Sequence, residues 1–387
     1  MKLDPYKHKE RYNTWKENVV KLGEIPNVGK TNSELILNYL YDMERGINIA
    51  SKSVKGSRSF IRLNTIRDKM GFFSVKFKQI YGLEKVIDVT EEQLVGFFVE
   101  MKQGQLKKED GKNYFSVDSY AKIFKAFWHW WMKVNKKKGI EIQDITTDLD
   151  TKQEKPDWVY LNEQEVRLIA DNSKRYYKVL IMFLFDTGIR APTELMNIKV
   201  SDFFNDFKEL NIREEISKTF GRRIKLMLSS SMIKEHIQLN KLESDDFIFT
   251  KSPSAVNRYF GEMGEKLFGD KVSPAGQKYS ELTMYDFRHN ACCYWLPRYK
   301  SESALKYRFG WKKSDKIHYY SELLGMKDTI AQEDLLIDTT KTEIEQDLQK
   351  VNKENDLLKE RMSSMEKQIV SLMESTNKLL METVGKI

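Results

Sequence analysis

A heptad repeat near the end of the chain restricts the fold more than any other feature of the sequence. From Ile344 to Leu379, apolar residues recur at alternating steps of four and three. A repeat that lasts longer than roughly three to four heptads predicts a coiled coil. Asn355 falls at an a position and Leu358 at a d position, which favours a parallel two-stranded pairing. We therefore predict a coiled coil over residues 340–384.

Positive charge is concentrated outside this repeat. The residues from Lys341 onward include eight basic and nine acidic side chains, whereas the 387-residue chain has a formal net charge of +8. The repeat is therefore expected to bind protein. The rest of the chain is expected to attract an anionic partner, for which nucleic acid is the leading candidate.

Composition narrows the class of protein. Hydrophobic residues make up 40% of the chain and charged residues 32%, and no apolar run approaches the roughly 20 residues that span a bilayer. The start lacks the layout of a secretion signal, and the two cysteines, Cys292 and Cys293, are adjacent. Adjacent cysteines do not easily form a disulfide. We therefore expect small core residues in a cytoplasmic protein without a metal site.

A polar stretch, TTDLDTKQEKPD at residues 146–157, divides the remaining chain. It predicts an exposed linker between an N-terminal domain, residues 1–145, and a second domain, residues 158–330. The second domain is predicted to begin with a helix that is capped by Asn162 and carries Glu165 at its third position, the capping-box arrangement.

The N-terminal domain is predicted to be all-helical and basic. Between Ser116 and Lys138, large apolar side chains recur at helical spacing, which is more typical of a bundle core than of base-stacking platforms. From Arg45 to Lys85 there are ten basic and two acidic residues, which fits either a phosphate-facing surface or a solvated basic face. The candidate DNA contacts are Lys52, Lys55, Arg58, Arg62, Lys122 and Lys125.

The second domain is predicted to be mostly helical with a small antiparallel sheet, an α+β arrangement. The runs LNIREEISKT and RRIKLML are β-rich and are separated by Phe220 and Gly221, as in a hairpin. Helical patterns surround this hairpin on both sides in the sequence.

Four polar clusters in the second domain could carry chemistry. They are TGIR at Arg190, SKT at Lys218, YDFRH at Arg288 and GWKKSDKIHYY ending at Tyr320. Two arginines and a lysine can bind a phosphodiester, because guanidinium groups match its paired oxygens and stay charged at any working pH. A nearby tyrosine can then attack the phosphorus.

The order and spacing of these clusters resemble the tyrosine recombinase family, whose members exchange DNA strands through a covalent phosphotyrosine. FLFDTGIRAPTELMNIKVSDF resembles the first family box and LTMYDFRHNACCYWL the second, so the resemblance makes Arg190 and Arg288 phosphate-binding residues. GWKKSDKIHYY resembles the terminal box, in which His or Trp precedes the nucleophile by nine residues. Trp311 and Tyr320 fit this spacing, and Tyr319 is the weaker alternative.

The resemblance also assigns the proton transfers. Lys218, at the end of the first predicted strand, matches the lysine that protonates the leaving 5′ oxygen, with Lys225 as the fallback and a surface hairpin lysine as the structural alternative. Tyr285 stands where the family usually has His or Lys, and a phenol donates hydrogen bonds to phosphate but accepts protons poorly at neutral pH. His289 and His318 are candidates to replace the missing base, with a structural role as the simpler interpretation.

The first box departs from the family pattern as well, because Glu194 follows Arg190 by four positions rather than three. Archaeal and viral members vary at the Tyr285 position, which suggests such an origin. The resemblance spans approximately residues 9–325.

The resemblance implies a site-specific recombinase or integrase that clamps double-stranded DNA with its N-terminal domain. Such an enzyme breaks and rejoins DNA through a 3′-phosphotyrosine without metal, ATP or another cofactor, and it assembles as a tetramer on DNA. The coiled coil is then expected to pair protomers. The alternatives are a topoisomerase-like enzyme, which lacks site specificity, and an inactive DNA-binding protein, for which Tyr285 is the only hint.

Overall fold

The computed structural model describes residues 3–50, 54–152, 157–299 and 301–323, together with 351–352, 355–356, 358–359, 361–366 and 369 near the C-terminus. The chain divides into two units, residues 1–324 and 325–387. In the second unit, the described residues are helical. Within the described ranges, no helix has both the length and the apolar content that crossing a bilayer requires.

The first unit contains two hydrophobic cores, one formed by residues 12–149 and the other by residues 158–320. Five α-helices and a 3₁₀ turn surround the first core in the described part of that region. They are α1 (His8–Leu22), α2 (Lys30–Arg45), α3 (Phe60–Tyr81), the turn Val86–Asp88, α4 (Glu91–Lys102) and α5 (Val117–Lys136).

Aromatic packing between α3 and α5 fills the first core. Phe73 of α3 meets Phe124 of α5 edge to face, with ring centroids 5.0 Å apart. Trp130 is buried, and its indole N–H donates to Asp42 at 2.7 Å, which satisfies the one polar atom of the ring. The large side chains of α5 therefore serve as core, as predicted, and are not exposed base-stacking platforms.

The predicted linker is only partly exposed. Thr146 and Leu149 are buried, and Lys125 of α5 donates to the carbonyl oxygen of Thr146 at 2.9 Å. The prediction of an exposed stretch is therefore wrong for these two positions, because they close the first core. Residues 153–156 of this stretch lie outside the described residues.

Seven further helices surround the second core in the described chain. They are α6 (Glu163–Asp171), α7 (Arg175–Thr187), α8 (Ser230–Leu239), α9 (Pro253–Phe268), α10 (Met284–Trp295), α11 (Glu302–Phe309) and α12 (Asp315–Leu323), with 3₁₀ turns at Leu195–Asn197, Val200–Asp202, Tyr279–Glu281 and Leu296–Arg298. The predicted capping box is confirmed at α6, where Asn162 and Glu165 exchange hydrogen bonds of 2.9 Å. Cys292 and Cys293 are buried free thiols of α10, as predicted.

A small antiparallel sheet completes the predicted, mostly helical fold. Its strands are β1 (Phe203–Phe204), β2 (Glu209–Ile212) and β3 (Arg222–Lys225), in the order β1-β2-β3, with Leu210 opposite Ile224. Residues 213–221 form a loop, where the sequence predicted longer strands and a two-residue turn. Lys218 therefore lies within this loop, and its predicted position at a strand end is wrong. The reason is tertiary: Ile216 turns into the core, and Ser217 hydrogen-bonds to Glu194 at 3.0 Å.

Candidate active site

The site forms around the C-terminal end of α11, where a helix leaves its last carbonyl oxygens without partners in the helix. Three arginines donate to three successive carbonyl oxygens there: Arg222 to Arg308 at 2.8 Å, Arg288 to Phe309 at 2.6 Å and Arg190 to Gly310 at 2.6 Å. This helix end also carries the negative pole of the helix dipole. It therefore holds together cations that come from three separate parts of the chain.

Glu194 lies between two of these arginines. Its carboxylate is buried and pairs with Arg190 at 2.7 Å and with Arg222 at 2.8 Å. Burial by itself would raise the pKa of Glu194, but the hydrogen bonds and charges of Arg222, followed by the charge of Arg190, lower it to about 2. The four-residue spacing from Arg190 thus still lets Glu194 orient the guanidinium. Three arginines and one glutamate leave a cluster with excess positive charge.

Arg288 is presented by α10, whose first turn is fixed by a capping box between Thr283 and Asp286. The guanidinium is buried and also donates to the carbonyl oxygen of Gly188. Burial, and then the charge of Arg190, lower the pKa of Arg288 to about 10, so this group is still a cation at neutral pH. Arg190 and Arg288, which the sequence predicted as partners, are therefore neighbours.

A buried ion pair anchors α11 to α7. Arg308 binds Asp186 at 2.9 Å, and both side chains are almost completely inaccessible. The same carboxylate accepts hydrogen bonds from the backbone N–H groups of Leu228 and Ser229 at 2.9 Å. Charge pairing and hydrogen bonding together make this burial tolerable. This ion pair therefore fixes the position of α11, including the C-terminal end to which the three arginines donate.

Trp311 and Tyr320 stack beside the arginine cluster. Their ring centroids are 6.0 Å apart with planes inclined by 14°, and the Arg288 guanidinium carbon lies 5.9 Å from the Trp311 centroid. The hydroxyl of Tyr319 instead accepts a hydrogen bond from Trp158 at 2.8 Å. The structure thus places Tyr320, rather than Tyr319, against Trp311.

The Tyr320 hydroxyl is hydrogen-bonded to Nδ1 of His289. Tyr320 is only 3% exposed, and this burial raises the pKa of its hydroxyl well above the ordinary value, although the charge of Arg288 opposes the effect. The His289 ring lies 4.7 Å from Trp158 and 5.0 Å from Tyr285, measured between centroids. The sequence named His289 only as a candidate. The available signal was its position four residues after Tyr285, which places both on one face of α10.

Lys218 and Tyr285 lie at the exposed edge of the site. Ser217 hydrogen-bonds to Glu194, and Thr219 donates to the carbonyl oxygen of Gly310 at 2.8 Å, so both sequence neighbours of Lys218 contact the arginine cluster. The Lys218 side chain itself is exposed. Tyr285 is half exposed at the start of α10.

The two fallback residues lie elsewhere on the surface. Lys225 is exposed at the end of β3, and His318 is exposed on α12. Sequence reasoning missed Arg222, since a charged residue in a β-rich run resembles an ordinary exposed strand position.

Three predicted DNA contacts, Arg58, Arg62 and Lys122, form a cationic stripe together with Lys69. Arg58 precedes α3, Arg62 and Lys69 lie on α3, and Lys122 lies on α5. Arg62 lies close enough to Arg58 and Lys69 for their charges to interact, and Asp118 acts on Lys69 while pairing with Lys122 at 2.7 Å. Lys69, which the sequence did not single out, donates to Ser119 at 2.6 Å. Burial, and then the charge of Arg62, lower its pKa to about 8.

The other predicted contacts lie near this stripe in sequence. Lys55 donates to the carbonyl oxygen of Ala50 at 3.0 Å, and Lys125 donates to the carbonyl oxygen of Thr146 at 2.9 Å. Lys52 lies outside the described residues.

Comparison with known proteins yields one family and a set of related folds. Residues 159–325 match the phage integrase family. A lambda integrase dimer bound to a COC′ core site has a TM-score of 0.54 at 15% identity, covering 77% of this chain and 98% of that chain. The Tn1549 transposon integrase in complex with a circular intermediate DNA has a TM-score of 0.51 at 13% identity, covering 75% and 93%. At these identities the likeness concerns the fold. No curated protein matches the sequence.

Proposed function

We propose, from the phage integrase domain that residues 159–325 carry, that this protein is a site-specific tyrosine recombinase that breaks and rejoins DNA. The observation that carries the proposal is the convergence of Arg190 and Arg288 on the end of α11, beside Trp311 and Tyr320. These residues come from three distant segments. A structural role alone does not call for two neighbouring guanidinium groups and a tyrosine at one place.

In the proposed reaction, Arg190 and Arg288 bind the two non-bridging oxygens of a scissile phosphate. Guanidinium groups suit this task because their paired N–H groups match phosphate geometry and their charge offsets the charge of the transition state. Trp311 and the half-exposed Tyr285 donate hydrogen bonds to the same phosphate.

Tyr320 then attacks the phosphorus, and Lys218 protonates the leaving 5′ oxygen. The product is a 3′-phosphotyrosine link, which conserves the energy of the phosphodiester bond. A 5′ hydroxyl from a partner strand reverses the step, so the chemistry requires neither ATP nor a metal ion. The contacts of Ser217 and Thr219 support this role for Lys218, because they hold its loop at the edge of the arginine cluster.

We further propose the domain roles that the sequence predicts: a DNA-clamping domain at residues 1–145, a linker at 146–157, a catalytic domain at 158–330 and a coiled coil at 340–384. The cationic stripe supports the clamp, since clustered cations on one face attract the DNA backbone. Two buried free thiols fit a reducing cytoplasm, and Tyr285 fits an archaeal or viral origin.

Pairing through the coiled coil is proposed to help assemble a tetramer on DNA. The described apolar residues at heptad positions are each more than half exposed: Val351, Leu358, Met362, Met365 and Ile369. Deletion of residues 341–387 is expected to lower the assembled mass measured by light scattering with and without DNA. Unchanged assembly would contradict the pairing role.

The function is tested by incubating the protein with fragmented genomic DNA, adding SDS, and sequencing the DNA that stays linked to protein. Adducts at one recurrent site, absent from Tyr320→Phe, are expected. Scattered adducts would instead support a topoisomerase. DNA binding without any adduct would support an inactive binder.

A further inference from the structure

We infer that His289 is the general base that accepts the proton of Tyr320 during DNA cleavage. This inference rests on the proposed recombinase function, and it concerns a step that the function leaves open. Tyr285 stands at the position where tyrosine recombinases usually have His or Lys. A phenol accepts protons poorly at neutral pH.

The hydrogen bond between His289 Nδ1 and the Tyr320 hydroxyl is the main evidence. A general base must lie within hydrogen-bond reach of the group that it deprotonates, and Nδ1 of this imidazole is within that reach of the hydroxyl. The hydroxyl is buried beside the ring, so bulk water is a poor competitor for the proton. Burial also raises the pKa of the Tyr320 hydroxyl, which makes assisted proton removal more important.

The surroundings of His289 orient its ring. Trp158 lies on one side at 4.7 Å between centroids, and Tyr285 lies edge-on at 5.0 Å. Among the described residues, the titratable groups close to Tyr320 include Tyr285, Arg288, Cys292, Cys293 and Tyr319. Of these, Arg288 is a cation at neutral pH. Its positive charge favours the tyrosinate and opposes the imidazolium, so it promotes release of the proton without holding it.

The Tyr320 oxygen forms a bond to phosphorus while its proton passes to His289 Nδ1. The bond between phosphorus and the 5′ oxygen breaks, and the leaving oxygen takes a proton from Lys218. The products are a phosphotyrosine, an imidazolium and a neutral lysine, and strand rejoining restores all three groups.

The test uses duplexes that carry the cleavage site recovered from the adduct sequencing. One duplex has the ordinary linkage, and the other has sulfur in place of the bridging 5′ oxygen. Sulfur leaves without protonation, so loss of the general acid is rescued by this substitution and loss of the general base is not. His289→Asn keeps a hydrogen-bonding atom near Nδ1 but cannot carry the proton. Its adduct formation is expected to be about 100-fold slower on both duplexes, with DNA binding unchanged.

Lys218→Ala is the matched control and is expected to recover on the sulfur duplex. The fall in rate at acidic pH, where an imidazole is protonated, is expected in the wild type and in Tyr285→Phe but not in His289→Asn. If His289→Asn folds poorly, added imidazole is expected to restore the rate of His289→Ala.

A wild-type or faster rate for His289→Asn would overturn the inference. The hydrogen bond between His289 and Tyr320 would then only hold the tyrosine in place before the reaction. Two further results would also overturn it: rescue of His289→Asn by the sulfur duplex, or a rate for His289→Asn that still falls at acidic pH. Absence of adduct from the wild type would instead remove the proposed function itself.

Discussion

At the scale of single residues, Glu194 is the carboxylate that offsets part of the positive charge of the arginine cluster. It is the negative partner of both Arg190 and Arg222, and its carboxylate is buried. Removing one member of such a buried pair leaves an uncompensated buried charge. The resulting loss of folding free energy is larger than the net stabilisation that the intact pair provides. The arginine cluster is therefore expected to depend on this one carboxylate.

Glu194→Gln is expected to lower the free energy of unfolding by about 3 kcal/mol at pH 7, measured by urea denaturation. The folded pKa of Glu194 is depressed from its ordinary 4.5 to about 2. The stabilisation is thus fully present above pH 4.5 and is lost as the pH falls toward 2. The difference between wild type and variant should therefore shrink as the pH falls from about 4.5 to about 2.

The matched control is Glu262→Gln, since Glu262 is an exposed partner of Arg258 at 3.8 Å. Its substitution is expected to change stability by less than about 0.5 kcal/mol. A difference for Glu194→Gln that stays constant with pH would contradict the assigned charge state.

Residue types and spacing predicted Arg190, Arg288, Trp311 and Tyr320, because these residues stand in recognisable boxes. They could not predict Arg222, whose burial arises only when the α11 end meets β3. They also could not decide between His289 and His318. That choice depends on which face of α10 meets α12.

At the scale of elements, the site depends on one helix end. Gly310 ends α11 in the left-handed region, with φ +62°. A Cβ there would lie 2.9 Å from an Arg222 nitrogen and 3.1 Å from an Arg190 nitrogen. Glycine at this position therefore serves both the backbone and the approach of the guanidinium groups.

Gly310→Ala is expected to lower the rate of adduct formation by about tenfold or more, because small displacements of positioning groups have large kinetic effects. Gly82→Ala is the matched control. Gly82 ends α3 with φ +69°, but its added Cβ meets open space. Both variants should lose about 1 kcal/mol of stability from the left-handed backbone, and only Gly310→Ala should lose activity. Equal rates for the two variants would contradict the role of the α11 end.

Helices were the most predictable elements, because a periodicity such as the one between Ser116 and Lys138 arises from burial along one face of α5. The hairpin was less predictable. Its strands stop where Ile216 enters the core and Ser217 meets Glu194, and such contacts leave no local pattern. The burial of Leu149 within the predicted linker was missed for the same reason.

At the scale of the whole molecule, two groups of cations lie in different regions of the chain, so the proposed DNA binding can be tested separately from the proposed chemistry. The cationic stripe belongs to the region of the first hydrophobic core, whereas the arginine cluster belongs to the region of the second core. Each phosphate contact releases condensed counterions from DNA, so its removal reduces the salt dependence of binding.

Arg62→Gln is expected to weaken DNA binding uniformly across sequences and to reduce the slope of log affinity against log salt by about 1. Fluorescence anisotropy over a salt titration measures this slope. Lys21→Gln, which removes an exposed cation in the last turn of α1, is the control and should change the slope less. An unchanged slope for Arg62→Gln would place the DNA elsewhere.

The most direct test of the account is to identify the amino acid that carries the DNA. The covalent adduct is trapped with SDS, digested with nuclease and protease, and the nucleotide-bearing peptide is sequenced by mass spectrometry. We predict that the nucleotide is attached to Tyr320 through a 3′ phosphate, that Tyr319→Phe still forms the adduct and that Tyr320→Phe does not. Attachment at Tyr319, or an adduct that survives in Tyr320→Phe, would contradict the assignment of the nucleophile.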